Sequence, residues 1–568
     1  MFTKCIHWAQ AHAVSVSLGS AAVALMANLA GCAPYPLSAG VDSYYSTAPN
    51  DDPSKPLVGL ALSGGGNRSA VYASYVIELL GSLAVATVPD RASGKVEAQS
   101  FLDQVQYISS VSGGGFAAAY FGTHFEPDGY TPLVTSQQPP SIYAADFSDF
   151  HRTMRHNWER PLLFGWGELV PSSSNASRLV KAVDKSFLNK TTFGSLFELE
   201  NRSSDPNNPY ARKAAPRLIF NATNYNNGRR FVMTTIPQAA FCLNIHDLIE
   251  SVLEAKGKDA LNVVPSEQNE SACQANEFTP DGFDNIQLPK GDITRVQSSN
   301  FELAQAVVTS GAFPVVVGPI AYKVEALKGG YLHLVDGGVT DNSGIESIAQ
   351  LFLKKLKDPD NQTKSKNTMR QTGLILEINA GLPFDGDGGR IVKDSTPWGT
   401  MLHDPGRPTD IQESRVSYYR HVLWMMAKKK IKEAAGGENN PRVASPVSRL
   451  DIMILSHTEI FVGLSAQDTK MVQIHICSKL QSVVDVRSEV SKIPTRYKSN
   501  TEGCGDADLL RLAACWSIHR HAGDIRRFFS LNSPTPPNAV DIDSRVGELC
   551  PEIKDVLPLP LIPIEDDY

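Results

Sequence analysis

Two interruptions in apolar sequence have the residue types that acyl transfer requires. One run is LALSGGGNRSAVYASYVIELL, from Leu60 to Leu80, and the other is VQYISSVSGGGFAAAYFG, from Val105 to Gly122. In each, a strand-like stretch breaks into small residues and resumes as a helix-like stretch. The first break is Gly64-Gly65-Gly66, and the second places Ser112 directly before Gly113 and Gly114. A serine on a tight strand-to-helix turn stands clear of its neighbours, with a helix N-terminus aimed at it. Glycines admit backbone angles and close approaches that a Cβ forbids. Such a pair suits attack by a hydroxyl on a carbonyl carbon, with fixed N–H groups holding the charge that develops on the carbonyl oxygen. Ser112 is then the candidate nucleophile, and Gly64, Gly65, Gly66 and Gly113 are the candidate oxyanion donors. Ser109 and Ser110 are not excluded by sequence, but only Ser112 is followed at once by glycines and a helix-like run.

Other uses of the glycine loop fit less well. A Walker loop needs a Lys followed by Ser or Thr, and a dinucleotide fingerprint needs a third spaced glycine; both are missing. Arg68, just after the loop, is assigned to bracing it and adding to its field, with a phosphate head group as the other reading. A serine hydroxyl also needs a proton acceptor. His457 and His475 qualify by chain order alone, yet neither lies in a glycine-flanked turn. Asp336 does, in Val335-Asp336-Gly337-Gly338, and a carboxylate within hydrogen-bond reach can take the proton directly. An isolated Asp-Gly-Gly is as often a capped turn, and Asp341, followed by Asn342 and near Gly344, has that look.

Positioning these groups requires strand–turn–helix units, which favour a layered α/β fold. Strands are predicted at Val58–Leu62, up to Ser109, Pro216–Asn224 with a hairpin partner at Arg229–Thr235, Tyr331–Val335, Gly373–Asn379, Ile452–Leu455 and Gln473–Cys477. Helices are predicted at Ala70–Leu83, from Phe116, and at Ser174–Leu188, Phe301–Ser310, Ile345–Leu356 and Ile411–Ala434. The stretch between Glu250 and Asp292 reads as polar surface loop, and 530–568 as a Pro-rich tail.

The N-terminus reads as a targeting segment. Lys4 is the only charge before Asp42, and an apolar run from about Ala13 to Ala27 has the length of a secretory core. Leu29-Ala30-Gly31-Cys32 then resembles a bacterial lipobox, implying removal of residues 1–31 and acylation of Cys32. A plain secretory signal and a retained membrane helix are the alternatives. Residues 32–55 read as a flexible tether. Without the leader, 52 Lys and Arg oppose 60 Asp and Glu, a net charge of −8, which argues against nucleic acid as a partner. Six cysteines follow Cys32, permitting disulfides in an exported chain; Cys242 with Cys273 is the most local pair, and free buried thiols remain the alternative. No cysteine spacing suits zinc.

Three motifs in this order resemble the patatin-like phospholipase family: Gly64-Gly65-Gly66-Asn67-Arg68, Ser110-Val111-Ser112-Gly113-Gly114 and Asp336-Gly337-Gly338. The elbow departs from the family's usual glycine by having Ser110 in its first position. Ser310-Gly311-Ala312-Phe313-Pro314 and Ile493-Pro494-Thr495 also look like family segments. The resemblance implies a three-layer α/β/α fold with a mostly parallel sheet over residues 56–529, and a long insert at about 123–300. It further implies a Ser112–Asp336 dyad without a catalytic histidine, no obligatory cofactor or metal, and hydrolysis of phospholipid or lysophospholipid esters. With the lipobox, it places the protein lipid-anchored in a bacterial cell envelope. An acyltransferase or thioesterase is the nearest alternative, and a non-catalytic envelope interaction protein is the more distant one.

Overall fold

The computed structural model describes residues 35–37, 55–89, 96–124, 147–159, 175–200, 215–225, 228–236, 238–265, 286–287, 293–294, 301–313, 317–324, 331–357, 371–381, 407–436, 445–495, 505–532 and 542–557. The central sheet is built from β1 (Tyr35–Leu37), β2 (Leu57–Leu62), β3 (Tyr107–Val111), β4 (Arg217–Asn224), β5 (Arg230–Thr234), β6 (Ile320–Val324), β7 (Tyr331–Asp336), β8 (Gly373–Asn379) and β9 (Leu450–Ser456). Their order across the sheet is β1-β6-β7-β4-β3-β2-β8-β9, with β5 paired to β4 off that path. The run β4-β3-β2-β8-β9 is parallel throughout, and β7 lies antiparallel beside β4.

Helices cover both faces: α1 (Asn67–Ser82), α2 (Gly113–Thr123), α3 (Ser148–Met154), α4 (Leu303–Ser310), α5 (Gly338–Asp341), α6 (Ile345–Lys357), α7 (Arg407–Ala435) and α8 (Asp506–Asn532). Strands buried on two faces need apolar side chains at nearly every position. Accordingly, Val58, Leu60 and Leu62 of β2 join the core beneath α1, α2 and α8, while Leu57 and Ala61 join the core beneath α6 and α7. Gly59 makes room for α6, since a Cβ there would lie 2.3 Å from Ile348 Cδ1. This is the expected three-layer α/β/α architecture.

Gln473–Ile476 is a strand as expected, and it pairs with Lys479–Ser482 in a ribbon outside the central sheet. Several other local expectations change. The expected loop after Glu250 begins inside a helix, Ile245–Glu254, whose Ile245, Leu248, Ile249 and Val252 are buried. The antiparallel pair Ala84–Pro89 and Val96–Ser100, and strand β6, were not anticipated. Tyr35–Leu37, inside the stretch read as a tether, lies parallel beside β6. Within 530–568, Ile542–Leu549 is helical, and Cys550 is bonded to Cys515 of α8. Cys242 and Cys477 are also disulfide-bonded, so these four are not free thiols; Cys273, the expected partner of Cys242, lies outside the described residues, as do Cys32 and the leader.

Candidate active site

Strand register brings the two key residues level with each other. Val111, the last residue of β3, pairs with Asn221 of β4. Asp336, the last residue of β7, pairs with the next residue, Ala222, from the other side. Ser112 follows Val111, so it and Asp336 flank one position of β4. Their side chains meet there: Ser112 Oγ donates to Asp336 Oδ2 at 2.8 Å. Both residues are nearly buried, at 8% and 6% exposure.

Each partner is oriented by its own turn. Ser112 occupies the N-cap position of α2 with φ 50 and ψ −120, a backbone region that side-chain-bearing residues rarely adopt. Serine is a favoured N-cap because its oxygen can accept from the first turn. Here the hydroxyl makes no cap hydrogen bond and turns to Asp336 instead. The other Asp336 oxygen, Oδ1, accepts from the Gly338 N–H at 2.9 Å, which fixes the carboxylate plane. Thr223 donates from Oγ1 to the Asp336 carbonyl at 2.9 Å.

The glycine loop lies against the elbow backbone to backbone. A Cβ on Gly113 would fall 1.8 Å from the Gly66 carbonyl oxygen, so no side chain is tolerated there. Gly65 and Gly66 have φ of 136 and 59, both in the half of backbone space that favours glycine. Among the described residues, the N–H groups of Gly65, Gly66 and Gly113 meet no carbonyl outside their own elements. Gly64 differs: its N–H donates to the Asn342 carbonyl at 2.8 Å, and Asn342 Oδ1 would lie 2.0 Å from a Cβ at Gly64. That withdraws Gly64 from the expected donor set and gives it an anchoring place. Nothing in the local sequence signals Asn342, because the contact joins two distant turns.

Arg68 is 2% exposed. It donates from Nε to the Ala380 carbonyl and from one guanidinium N–H group to the Ile493 carbonyl, each at 2.7 Å. It therefore ties the loop to the end of β8 and to the Ile493-Pro494-Thr495 segment. Asn67 donates to the Met154 carbonyl at 2.6 Å, which joins α3 of the insert to the same loop.

The other candidates stand apart. Ser109 Oγ donates to the Gly344 carbonyl at 2.6 Å and Ser110 Oγ to the Ile219 carbonyl at 3.2 Å. His457 is fully buried and donates from Nδ1 to the Asn379 carbonyl at 3.3 Å; burial, with nearby Arg68, pushes its pKa down to about 3. His475 is exposed on the outlying ribbon. Asp341 accepts from Ser343 Oγ at 2.6 Å and from the Glu346 N–H at 3.0 Å, so it caps the start of α6.

Comparison with known proteins adds a family. A family profile described as patatin-like phospholipase matches residues 60–349, just over half of the chain. No curated protein matches this sequence. Among solved structures, human GIVD cytosolic phospholipase A2 in complex with methyl gamma-linolenyl fluorophosphonate aligns with a TM-score of 0.35 and 9% identity. That alignment covers 86% of this chain and 61% of the other. A further structure of the human enzyme aligns with a TM-score of 0.30 and 12% identity, covering 86% and 62%. The chain thus spans about three fifths of the length of these structures.

Proposed function

Because this chain belongs to the patatin-like phospholipase family, we propose that it is a serine acyl hydrolase that cleaves carboxylic ester bonds of phospholipids or lysophospholipids. The observation that carries this reading is the 2.8 Å hydrogen bond from Ser112 Oγ to Asp336 Oδ2 at the N-terminus of α2. Ser112 Oγ attacks the ester carbonyl carbon while its proton passes to Asp336. The carbonyl oxygen becomes an oxyanion facing the N–H groups of Gly65, Gly66 and Gly113, where fixed dipoles stabilise it. The tetrahedral adduct collapses, the ester C–O bond breaks, and Asp336 returns the proton to the departing lysolipid or alcohol. Water then attacks the acyl-serine, Asp336 takes its proton, and collapse releases fatty acid and regenerates the Ser112 hydroxyl. No imidazole is required.

The location belongs to the same proposal. Cleavage before Cys32 and acylation of its thiol would anchor the enzyme to a bacterial envelope membrane, since several acyl chains hold where one does not. No described helix is long and apolar enough to cross a membrane.

The test is a panel of phospholipids, lysophospholipids and neutral esters offered to protein lacking residues 1–32, beside Ser112→Ala. Release of fatty acid by the first and not the second is expected. Equal release by both would overturn the assignment.

A further inference from the structure

The Ser112 backbone is held in a conformation that chain sterics disfavour, and such a residue persists only where its surroundings over-determine it. One part of those surroundings that holds the Ser112 backbone directly is the end of α4. The Ser112 N–H donates to Ser310 Oγ at 3.0 Å, and Ser310 Oγ in turn donates to the Asn221 carbonyl at 2.6 Å. The second bond fixes the hydroxyl's rotation, so that a lone pair faces the Ser112 N–H. Ser310 and Asn221 are both fully buried, so neither bond is exposed to bulk solvent. The same segment also grips the other half of the dyad: the Gly337 N–H donates to the Ser310 carbonyl at 3.1 Å and the Asp336 N–H to the Ala312 carbonyl at 3.0 Å.

We propose that Ser310 is a positioning residue, whose hydroxyl holds the Ser112 backbone in the conformation from which Oγ reaches Asp336. This rests on Ser112 being the nucleophile. It also assigns the Ser112 N–H to Ser310 and so removes it from the oxyanion donors. Without the Ser310 hydroxyl, the Ser112 N–H loses its acceptor and the turn loses the bond that resists relaxation to an ordinary backbone angle. Misplacement of a reacting group by an ångström or so costs about a hundredfold in rate.

The experiment is the kinetics of labelling by an alkyl fluorophosphonate, on protein lacking residues 1–32, as a function of probe concentration. Ser310→Ala is expected to lower the maximal labelling rate roughly 10- to 100-fold with the half-saturating concentration unchanged, and Ser310→Thr, which keeps a hydroxyl, to recover most of that rate. A side chain that only filled space would give the opposite ranking, since Ala is accommodated more easily than Thr. Should Thr prove too bulky, shown by a melting midpoint below that of Ser310→Ala, the decision passes to the Asp336→Asn background. There Ser310→Ala is expected to change residual labelling less than twofold, because the interaction it protects is already gone; a full additive loss would overturn the role. Undiminished labelling of Ser310→Ala would overturn this role alone. Failure of the wild type to label at Ser112 would overturn the nucleophile assignment, and this role with it.

Discussion

At the scale of single residues, the proposed mechanism rests proton transfer on one carboxylate. Asp336→Asn keeps the shape of the turn and can still accept from the Gly338 N–H, but an amide cannot take the Ser112 proton. Turnover is expected to fall by roughly 10²–10⁴-fold, the usual worth of general-base assistance, with the melting midpoint nearly unchanged. Steady-state assay beside thermal unfolding checks both halves. His475→Ala, on an exposed strand, is expected to leave activity and stability intact. His457→Ala opens a cavity beside Tyr72, whose ring is 5.8 Å away, and is expected to lower stability while each folded molecule keeps its rate. Loss of rate at either histidine in folded protein would favour a triad. Ser112 and Asp336 could be picked out as candidates from local sequence, because a nucleophile elbow and an Asp-Gly-Gly turn each need small residues beside them. The withdrawal of Gly64 by Asn342 and the hold of Ser310 on Ser112 were not, because hydrogen bonds across 198 residues or more leave no local pattern.

At the scale of elements, the glycine loop and the elbow act as one unit. Gly65→Ala introduces a Cβ at φ 136, with the Ala380 carbonyl oxygen 3.1 Å away. The backbone must twist and turn a donor from the site. Loss of one oxyanion donor costs about 3 kcal/mol, roughly a hundredfold in rate, so lipid turnover should collapse while weak probe labelling persists. Gly113→Ala, pressed against the Gly66 carbonyl, is expected to cost about 3 kcal/mol or more of stability, read as a large fall in the unfolding midpoint. Strand β8 carries a different liability. Its Glu377 is buried, and burial, with Asp341 and Glu459 nearby, pushes the carboxyl up to about 8. The folded state therefore holds a proton that the unfolded chain releases above its ordinary value of 4.5, and stability falls as pH rises from there toward 8. Glu377→Gln is expected to flatten that dependence, its advantage growing by up to about 1.4 kcal/mol per pH unit across the window. Melting midpoints at pH 5 and pH 8 that shift equally would contradict it. The central parallel strands were readable because burial on both faces imposes unbroken apolar runs. The strand at Gln473–Ile476 was readable too, but not its pairing with Lys479–Ser482, because a short alternating strand looks the same whether or not it joins the main sheet.

At the scale of the whole molecule, a three-layer core presents Ser112 and Asp336 at one end of its parallel strands, and the proposed acylation of Cys32 would place that core at a membrane. Cys32→Ser is expected to move the protein out of the membrane fraction or to leave its precursor uncleaved, and incorporation of labelled palmitate into that variant would contradict the anchor. The Cys515–Cys550 bond joins α8, which packs along α1, to the chain after Ile542–Leu549. A layered α/β fold was legible from the two strand–turn–helix units at Leu60–Leu80 and Val105–Gly122, while the three-layer plan came only with the family resemblance. Which cysteines pair was not, because pairing depends on how distant segments dock. The central claim, that Ser112 attacks and Asp336 receives its proton, is tested most directly by peptide mass mapping after fluorophosphonate treatment of the wild type, Ser112→Ala and Asp336→Asn. The expected result is an adduct on Ser112 in the wild type, none in Ser112→Ala, and strongly slowed formation at Ser112 in Asp336→Asn. An adduct on Ser109, Ser110 or any other residue at the wild-type rate in Ser112→Ala would contradict it.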